Sequence, residues 1–208
     1  WGDNYYGQLG HGDTVSRPTP EQIGTDADWT FVVAGGDYNL AIKSDGTLWG
    51  WGYDDNGELG LGEPSFRRPT PEQIGTDAGW TFVAARGNHN LALKSDGTLW
   101  SWGFNSNGQL GLGDMETPAT PEKVGDDTDW VAVSAGYYHS LALKSDGTLW
   151  AWGGNAEGQL GLGDDDEPRT RPERVGNDAD WIAVSAGGRH SLALKADGTL
   201  WSWGANDY

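Results

Sequence analysis

The chain has 208 residues, with 31 acidic against 13 basic side chains, a formal net charge of -18 and no cysteine. That acid excess disfavours nucleic acid, whose phosphates are neutralised by Lys and Arg, and anionic membrane surfaces. The missing thiols exclude disulfides and thiolate chemistry. The 34 Gly and 13 Trp, with no apolar run of membrane-spanning length, point to many short strands joined by tight turns and to no membrane insertion.

The first framework feature is Trp1-Gly2. It recurs at Trp51-Gly52, Trp102-Gly103, Trp152-Gly153 and Trp203-Gly204, at spacings of 50 or 51 residues. Pro20 to Gly24 predicts a short fourth strand belonging to a preceding sheet, because Pro suits an edge strand. Thr30 to Ala34 is β-rich and predicts the first strand of a blade. Asn39 to Lys43 alternates, with Leu40 and Ile42 on one face, and predicts the second. Ser44-Asp45-Gly46-Thr47 predicts a type I′ hairpin, since Asp-Gly accepts positive φ. Leu48 to Gly52 returns as the third strand, with Trp49 and Trp51 on one face.

The cycle then repeats. Trp opens the next strand at Trp29, Trp80, Trp130 and Trp181. Asp-Gly turns recur at Asp96-Gly97, Asp146-Gly147 and Asp197-Gly198, and Pro-Glu at Pro71-Glu72, Pro121-Glu122 and Pro172-Glu173. Four short antiparallel strands per unit predict an all-β chain of four β-propeller blades, with no helix. The repeat units fall at approximately 1–50, 51–101, 102–151 and 152–202, with 203–208 starting the next, in one array over 1–208.

Candidate chemistry is sparse. Twelve Trp occupy three fixed positions per repeat, as residues packed between blades would. The run Gly108 to Gly113 lacks the Lys-Ser/Thr and helix of a phosphate loop. Asp126 to Asp129 and Asp164 to Glu167 lack full calcium-loop spacing. His89, His139 and His190 share one repeat position with Tyr38. In a closed ring of four blades they would converge on a metal; the expectation is instead a repeated hydrogen bond, with no metal and no cofactor. No Ser-His-Asp order or zinc-hydrolase motif is present, so no enzyme activity is expected.

Divergence among the repeats is more informative. One loop position reads Asp37, Asn88, Tyr138 and Arg189, and its neighbour Gly36, Gly87, Tyr137 and Gly188. A second loop varies over 13–16, 63–66, 114–117 and 164–167. Variable loops on a repeated frame are where binding surfaces are built. The candidate binding residues are therefore Asp37, Tyr38, Asn88, His89, Tyr137, Tyr138, His139, Arg189 and His190.

Asn105 to Asp114, Ala135 to Leu143 and Asp146 to Gly153 resemble the RCC1 (regulator of chromosome condensation) repeat, and the resemblance extends over essentially the whole chain. It implies RCC1-type blades, in a family whose members usually close seven of them. Members include a chromatin-bound nucleotide exchange factor, a plant ultraviolet-B photoreceptor and a secreted bacterial β-lactamase inhibitor. The even spacing leaves no insertion for the exchange factor's wedge. The photoreceptor's motif Trp falls on Gly36, Gly87, Tyr137 and Gly188. The resemblance thus points to the secreted bacterial type, a non-enzymatic protein-interaction or extracellular assembly scaffold at the bacterial surface. The alternative is a carbohydrate-binding propeller using Tyr137, Tyr138 and the adjacent His. Expected partners are a protein, further copies of the chain through unpaired blade edges, or a glycan, but not nucleic acid. The final blade lacks a fourth strand in this reading, and four blades are not expected to close alone.

Overall fold

A computed structural model describes residues 1–206; residues 207 and 208, which the repeat reading assigns to a further unit, lie outside them. The strands form four antiparallel sheets, each assembled in chain order. The first blade holds β1 (Trp29–Ala34), β2 (Tyr38–Lys43), β3 (Leu48–Asp54) and β4 (Ser65–Gln73). The second holds β5 (Trp80–Arg86), β6 (His89–Lys94), β7 (Leu99–Gly103) and β8 (Glu122–Lys123). The third holds β9 (Trp130–Ala135), β10 (His139–Lys144), β11 (Leu149–Gly153) and β12 (Arg169–Arg174). The fourth has β13 (Trp181–Ala186), β14 (His190–Lys195) and β15 (Leu200–Gly204). Pro71-Glu72 and Pro172-Glu173 lie in the outermost strands, which suit proline because it has no N–H to give to a ladder.

Two local expectations are corrected. The Asp-Gly hairpin is not type I′, because no non-glycine residue among those described, Asp45 included, has positive φ. Gly46 alone enters the left-handed region, at φ 79°. Its N–H donates to Lys43 O at 2.9 Å, and the Lys43 N–H donates to Thr47 O at 3.0 Å. This is a longer loop closed by a glycine bulge. Asp45 favours it differently, by accepting from the Thr47 N–H and hydroxyl through Oδ1 at 3.0 and 2.7 Å. The second correction is that Pro20 to Gly24 forms no strand. The only pairing near it is the Gly2–Arg17 bridge.

Strand alternation gives each blade two unlike faces. Leu40, Ile42, Leu48 and Ile74 of the first blade pack against Trp80, Val83, Ala92 and Trp102 of the second. Leu91, Leu93, Leu99 and Val124 repeat the pattern against Trp130, Val133, Ala142 and Trp152 of the third. Packing runs from each blade to the next, and among the described residues no comparable packing joins the strands of the fourth to those of the first. Leu200 on the three-stranded fourth blade is 70% exposed, whereas its equivalents Leu48, Leu99 and Leu149 are fully buried.

The three repeated Trp are not equally buried. Trp102 and Trp152 are fully enclosed, while Trp49, Trp100 and Trp150 are half-buried at the turn end of their blades. Trp152→Ala should therefore cost about 3–5 kcal/mol through lost burial and a cavity. Trp150→Ala should cost clearly less. Urea midpoints for the two variants check this, and equal losses would contradict the packing assignment.

Candidate interaction face

Each blade boundary is locked by one buried carbonyl. Gln109 O, in the loop after β7, accepts from Trp152 Nε1 at 2.8 Å and from Ser140 Oγ at 2.7 Å. Having donated its proton there, Ser140 Oγ accepts from Nε2–H of His89 at 3.0 Å. The next boundary repeats this: His139 meets Ser191 at 2.9 Å, Ser191 donates to Gln159 O at 2.7 Å, and Trp203 donates to the same carbonyl at 2.8 Å. At the first boundary the residues change and the relay survives. Tyr38 donates to Asn90 Oδ1 at 2.8 Å, and Asn90 Nδ2 donates to Glu58 O at 2.7 Å, beside Trp102 Nε1 at 2.9 Å.

This corrects three of the nine candidate residues. Tyr38, His89 and His139 are buried between blades and cannot contact a ligand. Burial holds the imidazole of His89 down at a pKa of about 3 and that of His139 at about 4. Nor do the histidines converge: His89 and His139 each reach across to the following blade. His190, which has no following blade among the described residues, is exposed.

Asp37, Asn88, Tyr137, Tyr138 and Arg189 are exposed. The loop after the third strand stacks on the same end, since Tyr53 N–H donates to Asp37 O at 2.9 Å and Gly154 N–H to Tyr138 O at 2.7 Å. The loop between third and fourth strands joins them, because Ser65 pairs with Asp54. All the variable loops thus occupy one end of the array, and the Asp-Gly turns occupy the other. Between the third and fourth blades the loops enclose an open cleft of about 720 Å³, lined among others by Tyr138, Glu157, Asp165, Asp166, Glu167 and Arg189. Arg189 pairs with Glu157 across it at 3.5 Å. Tyr137 is partly engaged elsewhere. Arg86 lies 5.1 Å from its ring centroid and donates to Ala186 O at 3.1 Å, tying the second blade to the fourth.

Two features of this end were not foreseen. One is an aromatic cluster of Tyr5, Tyr6, Tyr53 and Phe66. Part of its signal was present in the sequence, since Tyr5 stands where the following repeats carry Asp55, Ser106 and Ala156, whereas Tyr53 stands where the next repeat also carries an aromatic, Phe104. The other is Asp54. Its equivalent Asn105 accepts from Leu110 N–H and donates through Nδ2 to Asp114 O and Glu116 O. Asp54 accepts from Leu59 N–H but has no proton to donate, and its buried Oδ2 has only Arg68 Nε at 4.0 Å. Burial pushes its pKa up to about 6.

Stacked antiparallel sheets of three or four strands, with a recurring interior relay and variable loops at one end, define a repeat protein of the β-propeller class. Residues 1–42, 45–93, 96–143 and 146–194 match the Regulator of chromosome condensation (RCC1) repeat. The chain belongs to the RCC1 repeat family. It is 37% identical to the ultraviolet-B receptor UVR8 of Arabidopsis thaliana over 56% of this chain and 27% of that protein. It is 35% identical to the human probable E3 ubiquitin-protein ligase HERC6 over 99% of this chain and 16% of that protein. It superimposes on yeast RCC1 (Prp20), solved bound to Kap60, with a TM-score of 0.83 and 25% identity, covering 94% of this chain and 48% of that one. The chain therefore spans about half of that solved propeller and under a third of these two curated relatives.

The buried groups predict opposing pH effects. The depressed His89 and His139 contribute stability that is present above pH 6.5 and lost as pH falls towards 4 and 3. Asp54 has the opposite sign: its contribution is present below pH 4 and lost as pH rises through 6. His139→Gln keeps a donor for Ser191 without titrating. It should flatten the loss of stability between pH 6.5 and 4 by up to about 1.4 kcal/mol per pH unit. Asp54→Asn should gain roughly 1–3 kcal/mol at pH 7, with the gain closing towards pH 4. Denaturation at several pH values checks both, and a pH-independent gain for Asp54→Asn would contradict the assignment.

Proposed function

We propose that this chain is a non-enzymatic protein-interaction module that meets its partner with the variable-loop end of the blades. The observation carrying this reading is the separation of roles along each repeat. The relay that locks blade to blade recurs, while the exposed residues that differ gather at one end, around Asp37, Asn88, Tyr138 and Arg189. A rigid frame presenting variable loops supports recognition without chemistry. The yeast relative solved with Kap60 lends support, as a propeller of this family bound to a protein.

The finer reading is an extracellular scaffold of the bacterial secreted type. Its support is compositional: an acidic, cysteine-free chain. Pairing with further copies or further repeats is supported by the open edge of β15 and the exposed Leu200 and Trp201 beside it. A carbohydrate-binding reading draws on the exposed rings of Tyr137 and Tyr138, set 6.3 Å apart and nearly perpendicular.

Photo-crosslinking residues at Tyr138 and Asn88, and a control at Asp146 on the opposite end, test the leading reading in extracts of the cells that make the protein. Discrete protein adducts are expected from the first two positions only. Equal labelling from Asp146, or no adducts from the loop end, would contradict it. A glycan array probed with the same protein should be blank, and a saturable glycan signal lost in Tyr138→Ala would favour the carbohydrate reading.

A further inference from the structure

The variable end carries an aromatic cluster that the framework does not require. Tyr6 sits at its centre, with ring centroids 4.9 Å from Tyr5, 4.9 Å from Tyr53 and 5.5 Å from Phe66, all meeting edge-on. Tyr5 is 58% exposed and Phe66 47%. The Tyr5 position holds Asp55, Ser106 and Ala156 in the following repeats, and each of these is exposed too. Two of those repeats are flanked by blades on both sides, so the exposure of Tyr5 comes from its place in the loop. Phe66 lies in β4, where the first blade's loop from Gly62 to Pro71 is one residue longer than the second blade's from Gly113 to Pro121. A contiguous aromatic patch in water is unfavourable unless something covers it, and Tyr and Phe are among the residues that anchor protein interfaces.

Charge indicates what covers it. Asp55 Oδ2 accepts from the Tyr53 hydroxyl at 3.3 Å, and Asp3 Oδ2 accepts from Tyr5 N–H at 3.4 Å. Neither carboxylate takes part in an ion pair among the described residues. The opposite end of the molecule shows what such a combination holds. There Lys43 Nζ lies 4.8 and 4.6 Å from the ring centroids of Trp29 and Trp49, and 2.6 and 3.3 Å from Asp26 and Asp28. Lys144 repeats this with Trp130, Trp150, Asp127 and Asp129, and Lys195 with Trp181, Trp201, Asp178 and Asp180. The tyrosine cluster has rings and carboxylates, but no cation lies over any of its rings among the described residues. Arg67 stands at the rim and donates to Tyr5 O at 3.4 Å.

We propose that Tyr5, Tyr6, Tyr53 and Phe66 dock an arginine-bearing segment of a partner protein. A guanidinium stacks on the exposed Tyr5 and Phe66 rings and donates to Asp3 or Asp55. Arginine suits the site because its planar cation both stacks on aromatic faces and forks to a carboxylate. The net charge of -18 draws such a segment in. The inference rests on the loop end being a protein-binding face, and names the partner chemistry there.

The test uses a capped peptide of alternating glycine and arginine, with a citrulline peptide of the same shape as the uncharged control, followed by calorimetry. The arginine peptide should bind, and the citrulline peptide should not. Tyr5→Ala with Phe66→Ala leaves the net charge unchanged and should leave the unfolding midpoint unchanged, yet it should weaken the arginine peptide by about tenfold or more. Binding of the arginine peptide unaltered by the double substitution would show attraction by overall charge alone and overturn the dock. So would equal binding of the citrulline peptide, or no binding of the arginine peptide. If the dock fails while adducts still form at Tyr138, the interaction face stands without it; if both fail, the face itself is wrong.

Discussion

A buried carbonyl with two donors is the constraint on which the array depends. At each blade boundary a loop carbonyl, that of Glu58, Gln109 or Gln159, is withdrawn from water and must be paired there. The next blade supplies an indole N–H and a hydroxyl or amide, and the preceding blade supplies the group that orients the latter. Removing any member leaves a buried polar atom unpaired, at a cost of about 1–3 kcal/mol. The three elements are therefore held at one spacing, and the Leu-against-Trp packing follows in register. The first boundary shows that the relay matters more than the residue types: Tyr38 with Asn90 replaces a His with a Ser, and the carbonyl still receives both donors.

With the lock in the interior, the two ends of the blades are free to differ in character. The turn end repeats a cation held between two indoles and one or two carboxylates, which consolidates each hairpin. The loop end repeats its backbone and the buried Asn4, Asn105 and Asn155 that hold it. Its side chains range from the acidic cleft beside Tyr138 to the aromatic cluster around Tyr6. Asp54 marks a place where variation reached a residue the loop uses structurally, and the unpaired Oδ2 is the consequence.

The fold was legible because the Trp-Gly, Asp-Gly and Pro-Glu marks recur in fixed order, and because strand alternation places Leu40 and Ile42 together on one face. The candidate site was legible only in part. Asp37 and Tyr38 are adjacent in the chain, but neighbouring residues at a strand start point to opposite sides, so one reaches water and the other the next blade. Repeat position alone does not say which. The roles of His89 and His139 needed their partners Ser140 and Ser191, some fifty residues away. The aromatic cluster joins Tyr5 and Tyr6 to Tyr53 and Phe66 from another repeat. A comparison of like positions separates these residues, whereas the fold brings them together.

The central claim is that stability resides in the boundary relays and recognition in the loops that lie outside them. Exchanging loops between blades tests it most directly. Residues 114–117 would be swapped with 164–167, and Tyr138 with Arg189, leaving every relay residue and Tyr137 in place. Solvent-facing exchanges of this kind should move the free energy of unfolding by no more than about 1 kcal/mol. A loss of several kcal/mol, comparable to emptying the Trp152 site, would show that the loops themselves hold the blades together and would contradict the account.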